Sequence, residues 1–156
     1  MSSLPRQQIQ MTFSIKTCKC VLFELTPFGK KNTDRIPDDK FVFNFSFKFG
    51  LDESTKLATI EVGSTLANVN TPDEILANLN AVNEFLIVNF NESIVRNPDG
   101  QLAMPDPILA SLLSLVVSSL RGMYAVKLDG SLYANAIIPL IDTNTLLPKR
   151  PMSTLG

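Results

Sequence analysis

The ten residues FVFNFSFKFG, numbers 41–50, decide how this chain folds. Five of the ten phenylalanines in the protein occupy every second position here, separated by Val42, Asn44, Ser46 and Lys48. Strict alternation is typical of a β-strand, in which successive side chains point to opposite faces of a sheet. All five rings therefore share one face. What that face contacts, whether its own core, a partner subunit or another polypeptide, bears directly on function.

The surrounding sequence predicts three more strands. Residues 11–25 alternate as a long first strand with a bulge near Thr17. Residues 56–69 alternate as a third, and residues 83–92, rich in β-formers, indicate a fourth. Residues 72–82 fit either a helix or a strand, because Thr71 and the Pro-Asp-Glu after it form a good helix start while apolar residues continue into the fourth strand.

The strongest helix pattern covers residues 107–126. Its apolar residues form two stripes, whereas a helix that packs on a sheet with one face needs only one. We therefore expect a cover on both sides, the second cover being a partner subunit. One stripe holds Ile108, Leu112, Leu115 and Met123; the other, the predicted oligomer interface, holds Leu109, Leu113, Val116 and Leu120.

Strands first and helices last favour an α+β fold, a four-stranded antiparallel sheet backed by a long C-terminal helix. The length of 156 residues suggests one domain, over residues 11–148, with flexible tails at 1–10 and 149–156. Burying one phenylalanine stabilises a fold by about 1.5–3 kcal/mol. We accordingly expect Phe43, Phe45 and Phe47 to meet the helix.

Composition excludes several classes of function. The net charge of −1 does not favour nucleic-acid binding. Without histidine there is no Ser-His or Cys-His dyad, no phosphate-binding glycine motif occurs, and Cys18 and Cys20 alone are a poor zinc set. The sequence therefore predicts no enzyme, no cofactor and no metal site.

The pattern of apolar residues bears on location. The first ten residues are polar, unlike a signal peptide. The longest apolar tract, Pro107 to Leu120, is shorter than the ~20 residues of a membrane span. A cytoplasmic protein without membrane insertion is expected. Its charged fraction of 19% and mean hydropathy of +0.16 are apolar for a monomer, which favours an exposed apolar patch or burial between subunits.

Two stretches resemble the SecB family of export chaperones and its SecB-like relatives: MTFSI at 11–15 and residues 118–142, which hold SSLRG at 118–122 and IIPL at 137–140. The similarity in strand order and spacing covers residues 11–148. It implies homodimers or homotetramers that hold unfolded polypeptide clients in apolar grooves without ATP. Related chaperones protect antitoxins. The tail PKRPMSTLG departs from the polar, often acidic tail of the export chaperones, so docking on a secretion motor is not predicted.

The resemblance suggests apolar pockets for an extended client. The candidate client-binding residues are Phe41, Phe49, Tyr124, Ile137, Ile138 and Leu140. Two other classes stay open. A carrier could hold a lipid or another hydrophobic small molecule between sheet and helix. An enzyme with a helix wrapped by a sheet, as in thioesterases, would need a polar group in a pocket, and the long helix offers only serines.

Overall fold

A computed structural model describes residues 12–26 and 35–148. The predicted tails, 1–10 and 149–156, lie outside the described residues. Four long strands form one antiparallel sheet in the order β1-β4-β3-β2. These strands are β1 (Phe13–Leu25), β2 (Phe41–Asp52), β3 (Leu57–Asn68) and β4 (Thr71–Ile87).

The rest of the chain packs on one face of this sheet and at one end of it. A short helix α1 (Phe90–Ser93) leads into a small hairpin, β5 (Val95–Arg96) and β6 (Leu102–Ala103). The long helix α2 (Asp106–Lys127) follows, and a 3-10 turn at Thr143–Leu146 lies beside it. The predicted α+β architecture, an antiparallel sheet backed by one dominant helix, is confirmed.

Alternation assigns the two faces of the sheet as the sequence predicts. In β3, Ala58, Ile60 and Val62 are buried under α2, while Thr59 and Glu61 lie on the outer face. The five phenylalanines of β2 are all half-buried and pack against the same core. Among the described residues, β1 and β2 each pair with one neighbouring strand, so both are edge strands of the sheet.

Strand β4 resolves the alternative over residues 72–82 in favour of a strand and corrects the limits of the predicted fourth strand. It runs from Thr71 to Ile87 and does not extend to residue 92, because a turn and helix α1 follow. Pairing with both β1 and β3 fixes extended backbone here and overrides the local helix-start signal. Phe90 is still buried, but from α1.

Strand β1 is irregular, as predicted. Its register against β4 shifts between Ile15 and Thr17, and shifts again between Cys20 and Leu22. Phe13 and Phe23 pack on the core, whereas Ile15 is 57% exposed. The two shifts mean that side chains predicted to share one face do not all reach the core.

Helix α2 buries the predicted interface stripe completely and the other stripe only in part, so the interface stripe is misassigned. Leu109, Leu113, Val116 and Leu120 are at most 7% exposed and belong to the core of this chain, so they offer no surface to a partner. The reason is that α2 lies flat on the sheet and buries neighbouring residues of both stripes, Leu112 included.

The outer face of α2 is uncharged between Pro107 and Leu120. Leu115 and Val126 are exposed there, and a side chain at Gly122 would meet nothing within 4 Å, so Gly122 marks neither a close approach within the described chain nor a helix end. By length and composition alone α2 would be able to cross a membrane, with a mean hydropathy of 1.6. The core helix of a soluble protein meets the same criteria, and eight residues of α2 are buried against this chain.

Candidate functional site

A cavity lies where the end of the phenylalanine strand β2, the β5–β6 hairpin and the start of α2 meet. We call it the hairpin cavity; its volume is about 650 Å³ and it opens to the surface. Its apolar lining comes from the sheet, from the hairpin and from helix α2. The apolar lining residues are Phe49, Leu51, Ala58, Ile60, Leu102, Ala103, Met104, Leu109, Leu112 and Pro148.

Polar groups line the rim of the hairpin cavity on the hairpin side. Asn97, Asp99 and Gln101 line it, and the Asp99 carboxylate accepts a hydrogen bond from the Gln101 amide at 3.0 Å. Arg96 donates to the Gly100 carbonyl at 3.0 Å and forms an ion pair with Glu53 of the β2–β3 turn. The first two contacts lie within the hairpin, and the exposed ion pair between Arg96 and Glu53 links the hairpin to the sheet.

The phenylalanine row runs along the edge strand β2 from its middle to this cavity. Neighbouring rings from Phe43 to Phe49 stack with centroid separations of 6.2–6.4 Å. Phe43 also meets Tyr124 of α2 edge-on at 5.1 Å, which confirms contact between the row and the helix. Only Phe49, at the end of the row, lines the cavity.

Tyr124 is a core residue and not a client-binding residue. It is 1% exposed, and its hydroxyl lies 2.7 Å from the Ser64 hydroxyl, which donates to the Leu79 carbonyl at 2.7 Å. Tyr124 must therefore be the donor to Ser64. Burial raises the pKa of Tyr124, although the hydrogen bond with Ser64 opposes this. The hydroxyl is satisfied within the core and unavailable to a ligand.

The segment after α2 returns along the helix and is held by one arginine. Arg121 donates to the carbonyls of Ile138 and Pro139 at 2.8 and 2.9 Å. Farther back, Asn135 donates to the Ile36 carbonyl at 2.9 Å. The two motifs within the second resembling stretch, SSLRG at 118–122 and IIPL at 137–140, are thus joined directly.

The remaining predicted client-binding residues are not gathered in one site. Ile138 is 1% exposed and buried in the core, so its assignment is wrong; alternate residues of this extended segment point inward. Ile137 and Leu140 are 69% and 95% exposed, as a contact residue should be. Phe41 is half-buried at the opposite end of β2 from Phe49, about 26 Å away along the strand.

The sequence analysis missed most residues of the hairpin cavity. Leu102 and Met104 lie in NPDGQLAMPDP, a stretch whose Pro, Gly and Asp content is typical of a loop, yet the structure folds part of it into the β5–β6 hairpin. Two features of the sequence indicated a hairpin: the glycine at position 100, and apolar residues at every second position after it, Leu102 and Met104. In the structure Gly100 forms the turn with φ at +85°. Two-residue strands are too short for a pattern search to detect.

The described residues contain no group of three or more His, Cys, Asp or Glu side chains that could hold a metal ion. Cys18 and Cys20 are both free thiols. They pair with Asn83 and Ala81, which face the core, so both cysteines lie on the helix side of β1. Cys18 is exposed and Cys20 half-buried.

No protein-family model and no curated protein sequence matches this chain. Among solved structures, the SecB-like chaperone Rv1957 of Mycobacterium tuberculosis, in complex with a ChAD peptide from the antitoxin HigA1, is similar with a TM-score of 0.46 and 12% sequence identity. The match covers 83% of this chain and 89% of that one. A Streptococcus agalactiae protein of unknown function is similar with a TM-score of 0.34 and 15% identity, over 85% of this chain and 98% of that one.

Proposed function

We propose that the protein is a cytoplasmic, ATP-independent molecular chaperone that holds non-native polypeptides, with segments of the client seated in the hairpin cavity. The observation that carries the proposal is the open cavity of about 650 Å³, lined mainly by apolar side chains. The resemblance of residues 11–15 and 118–142 to the SecB family supports it. The client would be an export precursor or an antitoxin-type chain.

The lining of the hairpin cavity suits a polypeptide segment. Leu102, Met104 and Leu109 provide apolar surface for one or two client side chains. Met104 adds an adaptable, unbranched side chain, which suits clients of varied sequence. Asn97 and Gln101 at the rim offer amide donors and acceptors to the client backbone.

A carrier of a hydrophobic small molecule is the second candidate. Its support is the volume, since cavities of about 300–1,000 Å³ are typical of small-molecule sites. A carrier would bind its ligand one-to-one and would leave unfolded proteins alone. The open mouth and the exposed Ile137 and Leu140 favour the chaperone, because an enclosed ligand needs no apolar residues outside the cavity.

The proposal includes a homodimer or homotetramer. An ordinary surface helix has charged residues on its solvent side, whereas the outer face of α2 exposes Ser111, Ser114, Leu115 and Ser118 without a charge. This face replaces the buried stripe as a candidate contact between subunits. Small side chains there would allow a second helix to approach closely.

The test is suppression of aggregation of a chemically denatured model protein, without nucleotide, at a near-stoichiometric ratio. We expect the purified protein to delay aggregation, and to do so equally at high salt, because apolar contacts are not screened. One-to-one binding of a fatty acid with no effect on aggregation would support the carrier instead.

Two variants in the same hairpin locate the site. Leu102→Asp places a carboxylate in the apolar lining and should weaken client binding by about tenfold or more. Val95→Asp is the matched control, because Val95 is 53% exposed and lies outside the cavity lining. Equal effects of the two variants would move the site away from the cavity.

A further inference from the structure

A second cavity lies on the face of the sheet that points away from helix α2, and the proposed function does not use it. Its volume is about 260 Å³ and it opens to the surface. Gly63, in the middle of β3, lies at its centre, and uncharged side chains from three neighbouring strands surround the glycine. We call it the amide pocket; its outward-facing lining side chains are Asn44, Ser46, Thr65, Asn78 and Asn80.

Strand pairing places the lining residues of the amide pocket in two adjacent rows across the sheet. Directly opposed residues of β2, β3 and β4 form the rows Asn44–Thr65–Asn78 and Ser46–Gly63–Asn80. Residues two apart in a strand share a face, so both rows point to the same side. The polar groups are therefore positioned by three paired strands and not by a loop.

Gly63 gives the amide pocket its depth. A Cβ atom at this position would lie 2.8 Å from Oγ of Ser46 and 3.4 Å from Oδ1 of Asn80. Strand β3 pairs on both sides, so the glycine is in the interior of the sheet. Glycine weakens the interior of a strand and often marks a place where a ligand or another backbone approaches closely. A ligand above Gly63 would account for a residue that the strand itself does not favour.

The amide groups of the pocket have no partner within the described part of the chain. The side chains of Asn44, Asn78 and Asn80 make no hydrogen bond there, although Asn78 and Asn80 are half-buried. Asparagine is depleted in β-strands, yet these three lie on one face within two rows. By contrast Asn83, on the helix side of β4, donates to the Ile60 carbonyl at 3.3 Å. The three pocket amides thus keep their donors and acceptors for a ligand.

We propose that the amide pocket binds a neutral polyhydroxylated molecule with the dimensions of one sugar ring. A sugar hydroxyl both donates and accepts hydrogen bonds, and each amide or hydroxyl side chain of the lining does the same. The lining holds no cation to pair with a phosphate or a carboxylate. Glu24, opposite Asn78 on β1, would in addition repel an anion. The proposal is independent of client holding and of assembly.

The size and the borders of the amide pocket favour one ring over a chain. Its volume of about 260 Å³ is below the range of about 300–1,000 Å³ that is typical of drug-sized ligands. The next row of the sheet sets Lys48 opposite Glu61, so charges of opposite sign border the pocket on that side. On the β1 side Leu22 lies opposite Asn80 and is 38% exposed, which offers an apolar contact to the C–H groups of a ring.

Side-chain amide signals in NMR spectra of the ¹⁵N-labelled whole protein provide the test. The probes are the methyl glycosides of glucose, galactose, mannose and N-acetylglucosamine, with glucose 6-phosphate as the charged counterpart. At least one glycoside should shift the signals of Asn44, Asn78 and Asn80 in a saturable way, with a dissociation constant of about 1 mM or lower. Glucose 6-phosphate should bind more weakly than the glucoside, because the lining offers its phosphate no cation.

Two alanine variants in β4 locate the site. Asn80→Ala removes a lining amide and should weaken glycoside binding by about tenfold. Glu84→Ala is the matched control, because Glu84 faces outward on the same strand but lies outside the amide pocket. Asn44→Ala, on the edge strand, replaces Asn80→Ala if that variant fails to fold. The absence of a saturable shift with all four glycosides overturns the proposal, as do equal losses in the lining variant and the control, or tighter binding of glucose 6-phosphate.

Discussion

The two edge strands of the sheet pack on the same core but differ in the regularity of their backbone and in the exposure of their apolar side chains. Strand β1 breaks register twice and leaves Ile15 and Val21 more than half exposed. Strand β2 keeps register over its full length and half-buries all five phenylalanines. One edge is irregular and bears lysines; the other is straight and apolar on its inner face.

This difference indicates that apolar residues at a sheet edge favour association with another strand only where the backbone of the edge is regular. Exposed side chains on a bulged edge cannot align with an incoming strand, because the bulge interrupts the row of donors and acceptors. On β2 the backbone row and the phenylalanine row run together, so both types of contact can form at once. Association is therefore expected at β2 and not at β1.

The largest expected effect comes from shortening one side chain on each edge. Phe45→Ala removes the ring between Phe43 and Phe47 and should lower the free energy of unfolding by about 2–3 kcal/mol, below the range for a fully buried phenylalanine. Ile15→Ala on β1 should lower it by less than about 1 kcal/mol, since Ile15 is 57% exposed. Urea denaturation at one fixed protein concentration measures both, and equal losses would erase the distinction between the edges.

A lysine introduced on each edge should act on association. Ser46→Lys adds a lysine two positions from Lys48 on the outer face of β2 and, if subunits associate at this edge, should raise the dissociation constant of the proposed oligomer by about tenfold. Val21→Lys, at the second bulge of β1, should change it by less than about twofold. Sedimentation equilibrium reports both constants. A larger effect from Val21→Lys would place the interface on β1.

The smallest expected effect is on the Cys18 thiol, which is exposed on the helix side of β1. Its rate of reaction with a thiol reagent should be the same in dilute and concentrated protein, because association at β2 leaves β1 open. Cys20, half-buried beside it, should react more slowly in both samples. Protection of Cys18 on concentration would show that the bulged edge also takes part in assembly.

The sequence predicts the sheet and the main helix because their side-chain periods are long and regular. The alternation along the twelve residues of β2 fits only a strand, and the helical pattern along the 22 residues of α2 fits only a helix. Strand β4 was ambiguous over residues 72–82, since a local helix-start signal competed with pairing partners far away in the sequence. Only the assembled sheet, with β1 and β3 on either side, decides it.

The candidate site was harder to predict than the fold. Phe49, predicted as a client-binding residue from its place at the end of the row, lines the cavity, whereas Leu102 and Met104 reach it from a hairpin of two-residue strands. The helix stripe assigned to a partner is buried because Leu112 and Leu113, neighbours in sequence, both lie against the sheet. Which part of a wide apolar helix faces the core depends on its rotation about its own axis, and the pattern alone does not fix that rotation.

Hydrogen exchange, measured with and without an unfolded client, tests the central claim most directly. Client holding in the hairpin cavity predicts slower exchange on client addition at residues 97–112 and at the end of β2. The backbone amides of β1 and of the Phe41 end of β2 should exchange at unchanged rates. No protection anywhere, or protection confined to β1, would contradict the account.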